Sequence, residues 1–560
     1  MKHFYALLAS AVIFPSAALS AEKHSGSLPV LYVNTENHEE ITTKEYYLNA
    51  TYYLDNNGDP DIESIGNADS PQTVQIKARG NYTWTAFEKK PYKLKFPKKL
   101  EFMGMDKNKH FALLAHADDN MGFMRNITGF ELSRRLGLSW TPADSPVEFY
   151  LNGDYKGLYF VTQTIRIDST RVNITEQEDE AATDVDGGWL VEIDNYDTDP
   201  HVTVTEHNGY PIYFTYKSPE VLSPEQEAYL TEQVNAMNDA IYAEDKESSE
   251  WQKYIDMETA ARYYIVQEIL DDCESYHGSC YIHKDRGEGE KWKFGPVWDF
   301  GNTFQRGDKG KFVWQDPEFN QTWIGEIYKF PAFQAKVREV WAEFCKTGYD
   351  GLEQYLKDYA SKISEAASFN YDRWNQYGND DVKARTEEMI RKIRCSVDWL
   401  GEQWGAKPEI SVEPGVDIYI RGDFNNWDTT HKLNYLGNGI YEYDLQDADF
   451  SGAFKIASTD WNTIDYGAAE DGMTPQAEQE FKLEKMGKNI NFPQVLTRRM
   501  VVDIKNETLM FTDYSGVDAV ETDSADRTEI YTVTGQRVSE IGDNGIYIVK
   551  TGTKTVKIIK

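Results

Sequence analysis

Apolar and polar residues alternate along residues 28–102 with the period of β-strands. Pro29-Val30-Leu31-Tyr32-Val33 is a buried run, and residues 46–54 alternate aromatic with polar side chains. Residues 74–79 run into an Arg79-Gly80-Asn81 turn. In the strand predicted at 89–96, Lys93 and Lys95 share one face, and Tyr92, Leu94 and Phe96 share the other. Residues 147–162 form a hairpin around Asn152-Gly153, the strongest short-range turn signal. A further strand spans 188–194. Helical spacing appears at 121–136, with Asn120 as cap and Gly137 as stop, and again at 223–242 and 255–270. From 330 to 404 the pattern is almost purely helical and reads as core.

The densest chemistry lies at residues 268–304. The run Cys280-Tyr281-Ile282, a charged Gly-bearing loop at 284–289, and a second run through Trp292, Phe294 and Val297 predict a β-hairpin. That hairpin returns Asp299 beside the acidic turn of Asp271, Asp272 and Glu274. A carboxylate just past a strand and next to Gly301 has room for a metal. Asp299-Phe300-Gly301 resembles the metal-binding motif of protein kinases. Arg79 on its turn and Lys93 on its strand make a phosphate clamp.

Composition narrows the partners. The net charge is -35 and the pI is near 4.7, which disfavours nucleic acid and anionic lipid and suits divalent cations. At 560 residues the chain holds several domains, and 40% hydrophobic content fills their cores. Residues 1–20 read as a secretory signal peptide: a short polar start, an apolar stretch, then small residues at 18–20. No later stretch is apolar enough to span a membrane, so the expected location is secreted or cell-surface. Cys273, Cys280, Cys345 and Cys395 are too few to frame the fold, although Cys273 and Cys280 flank the acidic turn and are placed to bridge it.

After a linker at 405–408 the pattern becomes all-β. Gly422-Asp423-Phe424-Asn425-Asn426-Trp427 resembles the first strand of the small β-sandwiches of glycogen- and starch-binding type. That resemblance implies a polysaccharide partner held by Trp427, Asn425, Lys455 and Trp461, since an indole stacks on the apolar face of a sugar. A second linker at 515–520 leads to three predicted strands with Gly turns, which resemble the sorting domain of the Bacteroidetes type IX secretion route.

Five motifs in order carry a broader resemblance: Arg79-Gly80-Asn81, residues 89–96, the stretch from Leu113 to Arg125-Asn126, residues 150–163, and Pro296-Val297-Trp298-Asp299-Phe300. Together they resemble the CotH kinase family, named for a spore-coat protein with an atypical protein-kinase fold. The resemblance implies phosphorylation of Ser or Thr in a protein substrate, with ATP and Mg or Mn as cofactors. It implies Asp299 and Ser279 for the metal, Arg79, Lys93 and Gln163 for the nucleotide, and Glu274, with Asp272 as substitute, for catalysis. Three positions depart from the family pattern. Glu274 stands for an Asp, Ser279 for an Asn, and Gln163 for an acid. The alternative is therefore a catalytically degenerate surface protein that binds glycan. The expected fold class is α+β: a kinase-like domain at 28–405, an immunoglobulin-like β-sandwich at 408–495 and a small β tail at 515–560.

Overall fold

A computed structural model describes residues 24–512, apart from 195, 205–210, 317–322, 375–380, 409–415, 438, 446–449 and 494–496. Beyond 512 it describes only strand backbone between 528 and 559, so the signal peptide at 1–20 and the linker at 515–520 lie outside the described residues.

The first unit is a closed barrel of β1 (Val30–Thr35), β2 (Leu48–Asp55), β3 (Gln72–Ala78), β4 (Tyr92–Phe102), β5 (Met105–Leu114), β6 (Asp144–Leu151) and β7 (Asp154–Gln163). The strands follow the order β1-β2-β3-β4-β5-β7-β6. Antiparallel neighbours build the wall, and a parallel pairing of β1 with β6 closes it. Strand alternation sends Val74, Ile76, Leu94, Phe111 and Val161 inward, where they pack as one core. The β6–β7 hairpin turns at Asn152 and Gly153, both at positive φ (54° and 78°), as its tight turn requires. The short helix α1 (Tyr82–Ala86) follows Arg79 and Gly80.

A second sheet has the order β12-β11-β8-β10-β9. Its strands are β8 (Trp189–Asp194), β9 (His201–Val204), β10 (Ile212–Ser218), β11 (Cys280–Lys284) and β12 (Lys293–Phe294). The expected hairpin forms between β11 and β12, with Ile282 opposite Phe294. Around this sheet pack α2 (Arg125–Arg135), α3 (Pro224–Ile241), α4 (Met257–Leu270), α5 (Ile324–Ile327), α6 (Pro331–Glu343), α7 (Leu352–Arg373) and α8 (Val382–Trp404). Ser223 caps α3 in a reciprocal box with Gln226, and Asp256 caps α4 through the Thr259 N–H at 2.8 Å. Asn120 does not cap α2. Asp119 instead accepts from the Met121 and Arg125 N–H groups at 2.7 and 2.9 Å, and the helix starts at Arg125. Outward residues Ala112 and Leu114 of β5 join the core of this helical body, so it packs on the outside of the barrel.

The C-terminal residues form two further sheets sharing one core that includes Ile418, Ile420, Tyr441, Phe454 and Phe511. Arg394 of α8 donates to the Thr463 carbonyl at 2.8 Å and pairs with Glu353 of α7, which joins the helices to this unit. A cavity of about 670 Å³ opens at the junction, and none of the acidic-turn residues lines it. The tail backbone forms a four-stranded sheet rather than three strands. All four cysteines are free, so Cys273 and Cys280 are not bridged. No described helix is long and apolar enough to cross a membrane.

Candidate functional site

The site is assembled where α4 ends. Asp271 takes a left-handed backbone (φ 50°) and stops the helix, turning the chain into Asp272, Cys273 and Glu274. A buried ionic network fixes that turn. Lys309, whose side chain is fully buried, contacts Glu268 at 2.6 Å and Asp271 at 2.9 Å, and Arg306 also pairs with Asp271. The Val313 N–H donates to both Glu268 oxygens. The chain following Asp299 is thus bolted onto the helix that precedes the turn.

Asp299 follows β12 through the Gly295-Pro296 turn and sits at φ 59°, a strained position for a residue other than glycine. Two residues of α2 hold its loop: Asn126 Oδ1 accepts from the Phe300 N–H at 3.0 Å, and Arg125 donates to the Gly301 carbonyl at 2.6 Å. Burial among protein atoms raises the Asp299 carboxyl, while Arg79 and the Gly301 N–H pull it down, and the residue is still exposed to solvent. Burial lowers the Arg79 guanidinium against the pull of Asp299, Tyr281 and Glu192, but a guanidinium stays charged. Arg79 also lies over the Trp298 ring at 5.5 Å. Asp299, in the loop after β12, and Arg79, at the end of β3, therefore lie near enough for each charge to act on the other.

Asp272 and Glu274 take different roles. Asp272 is 1% exposed, and burial, then Glu274, then Asp299 push its carboxyl well above the usual range. Glu274 is half-buried, accepts from the Asn302 amide, and lies near Tyr196, whose phenol burial and then Glu274 raise. Of the two acids, Glu274 is the one partly exposed to solvent. A further acid comes from the β5–α2 loop. With Asp119 spent on capping, Asp118 lies beside Gly301, where burial, then Asp299, then Asp119 raise its carboxyl to about 6. A Cβ at Gly301 would stand 2.7 Å from Asp118 Oδ2 and 3.4 Å from Asp299 Oδ1, so the two carboxylates approach across a glycine.

The remaining candidates separate. Lys93 lies on the outer barrel face, and burial followed by Arg166, Lys77 and Arg79 brings its ammonium down to about 8. Gln163 is the register partner of the inward Phe111 and so lies on the other face of the wall. Its Oε1 accepts from the Ala143 N–H at 3.0 Å. Ser279 precedes β11 at φ 51°, and among the described residues no hydrogen bond joins it to Asp299 or the acidic turn. In the C-terminal unit the Asn425 amide is committed to backbone: it donates to Ile420 O (2.9 Å) and Asp428 O (3.1 Å), and its carbonyl accepts from the Gly422 N–H (2.9 Å). Lys455 pairs with Asp465. Trp427 and Trp461 are half-buried neighbours with centroids 6.0 Å apart, and Arg421 covers the Trp461 ring at 4.0 Å.

A family model described as CotH kinase protein matches residues 76–400, more than half of the chain. The chain belongs to the CotH kinase protein family. No curated protein matches it. Family membership points to a kinase-like protein with nucleotide and metal use and protein substrates. Among the described residues of this CotH-family chain, no three His, Cys, Asp or Glu side chains converge into a metal cage. The Asp118–Asp299 pair nonetheless fits Mg-type chemistry, in which one or two carboxylates hold a cation that keeps waters and takes its other ligands from substrate phosphates. Sequence reasoning missed Asp118, Asn302 and Tyr196. An Asp118-Asp119 doublet before a helix was the available signal for the first, since only one of two adjacent acids can cap.

Proposed function

We propose that this CotH-family protein is a Ser/Thr protein kinase that transfers the terminal phosphoryl group of ATP. The single observation that carries this reading is the grouping of Asp299 with Asp118 beside Gly301, where the charge of Arg79 acts on Asp299. A divalent cation, Mg or Mn, would be held by Asp299 and Asp118 and would neutralise charge on the phosphates. Arg79 and Lys93 bind phosphate oxygens from the barrel wall. Glu274, steadied by Asn302, accepts the proton of the Ser or Thr hydroxyl as its oxygen bonds to the terminal phosphorus and the bond from that phosphorus to ADP breaks. Buried, with its carboxyl pushed well above the usual range, Asp272 supports Glu274 rather than replacing it.

We further read the protein as exported by residues 1–20, with 408–495 as an immunoglobulin-like β-sandwich carrying a polysaccharide site at Trp427 and Trp461, and 515–560 as a type IX sorting tail. The alternative, a degenerate kinase acting as a surface scaffold, draws on Ser279 and Gln163, since neither is joined to the acid cluster.

Labelled phosphate transfer decides between the two. With Mg or Mn, wild type should phosphorylate itself or an added protein and Asp299→Ala should not. A wild-type protein with no transfer and no nucleotide-dependent change in melting temperature would leave the scaffold reading.

A further inference from the structure

The outer faces of β3, β4 and β5 carry more positive charge than the proposed nucleotide contacts explain. Lys77 stands directly opposite Lys93 in register, and Lys95 opposite His110. Like charges paired across strands destabilise a sheet unless something answers them. Arg166, just past β7, adds to the group: it is the first charge acting on Lys93 and on His110. Among the described residues, Lys77, Arg79, Lys93, Lys95 and Arg166 have no carboxylate within ion-pair distance, on a chain of net charge -35. The acid acting on Lys93 is Glu220, the weakest of the influences on it.

The surroundings hold these cations in place without neutralising them. The Tyr47 ring sits under both Lys77 (4.9 Å) and Lys95 (5.5 Å). Arg171 is used up on the Thr164 and His110 carbonyls at 2.7 and 2.8 Å. His110 keeps a buried Nδ1 with no partner, and burial followed by Arg166 leaves its ring neutral, at about 3. The charges also form a sequence. Asp299 acts on Arg79, Arg79 on Lys93, and Lys93 and Arg166 on His110. Lys95 lies two residues along the strand from Lys93, about 7 Å further from that start.

We infer that Lys77, Lys95 and Arg166 form a second anion subsite continuing from Arg79 and Lys93, and that it takes the further phosphate groups of an extended condensed phosphate. An evenly repeated anion fits a strand-borne row of cations, whose spacing the sheet fixes. The inference rests on the kinase reading only for where the phosphate chain begins.

Binding to the full-length protein is measured by calorimetry with pyrophosphate, tripolyphosphate and a long linear polyphosphate as probes. Affinity should rise about tenfold or more from pyrophosphate to the long chain. The double variant K95A/R166A should remove that gain and leave pyrophosphate within about twofold of wild type, because Arg79 and Lys93 remain. Removing mutually repelling cations should not lower the melting temperature, which serves as the folding control. Equal affinity at all chain lengths, or an equal loss of both probes in the variant, would overturn the second subsite. A matching gain with poly-glutamate would assign the row to an acidic protein segment instead. Failure of phosphate transfer with the chain-length gain intact would sink the kinase reading alone.

Discussion

Asp118 closes on Gly301 so nearly that a methyl group there would stand 2.7 Å from its Oδ2. Gly301 has an ordinary backbone conformation, so the obstacle to a side chain is the tip of Asp118 and not the main chain. Gly301→Ala should therefore fold, with a stability loss of about 1 kcal/mol or less, while pushing Asp118 away from Asp299. Mn²⁺ titration of the variant should show weakened binding at a nearly unchanged melting temperature. Unchanged Mn²⁺ affinity would remove Asp118 from the cation site.

Ionisation of Asp118 should cost stability. Its carboxyl is raised to about 6, so the folded protein holds this proton more tightly than the unfolded chain does. The cost is complete above about pH 6 and absent below the ordinary carboxylate range. Asp118→Asn should accordingly stabilise the protein by up to roughly 3 kcal/mol at pH 7. Urea unfolding at pH 7 and pH 4 checks this, because the gain should vanish at the lower pH.

The Lys309 network predicts a large loss when half of it is removed. Lys309→Met leaves Glu268, which is fully buried, without its cation, and should cost about 3–5 kcal/mol. Adding Glu268→Gln should recover part of that loss, since two neutral groups avoid a stranded charge. Equilibrium unfolding of the single and double variants measures both steps.

Lys93 should take up a proton when phosphate binds. Its ammonium titrates near 8 in the free protein because burial, Arg166, Lys77 and Arg79 all oppose the charge. A bound anion favours the charged form, so pyrophosphate binding at pH 9 should consume protons, and at pH 6.5 should not. Calorimetry in two buffers of different ionisation heat reads this directly, and Lys93→Met should abolish the uptake.

The local architecture was legible wherever one period dominated the sequence. The Asn152-Gly153 hairpin, the β11–β12 hairpin, and the helices ending near Ile241 and Leu270 all follow from residue pattern and turn chemistry. Closure of the barrel did not, because it depends on a parallel contact between β1 and β6, more than a hundred residues apart. The meeting of Asp272 with Asp299 could be read from the hairpin. Asp118 could not, since its direction is set by which of two adjacent acids caps α2. Gln163 lay beyond reach for a different reason: strand parity, inward or outward, decides whether it can face Lys93, and that parity depends on its partner Phe111.

The basic strip on so acidic a chain has a kinetic consequence. At a distance a polyanion meets net repulsion, and only at close quarters does it meet attraction from Lys77, Lys93, Lys95 and Arg166. Ionic strength screens the first more than the second, because the screening length is about 8 Å under physiological conditions. Added salt should therefore quicken arrival even as it shortens residence.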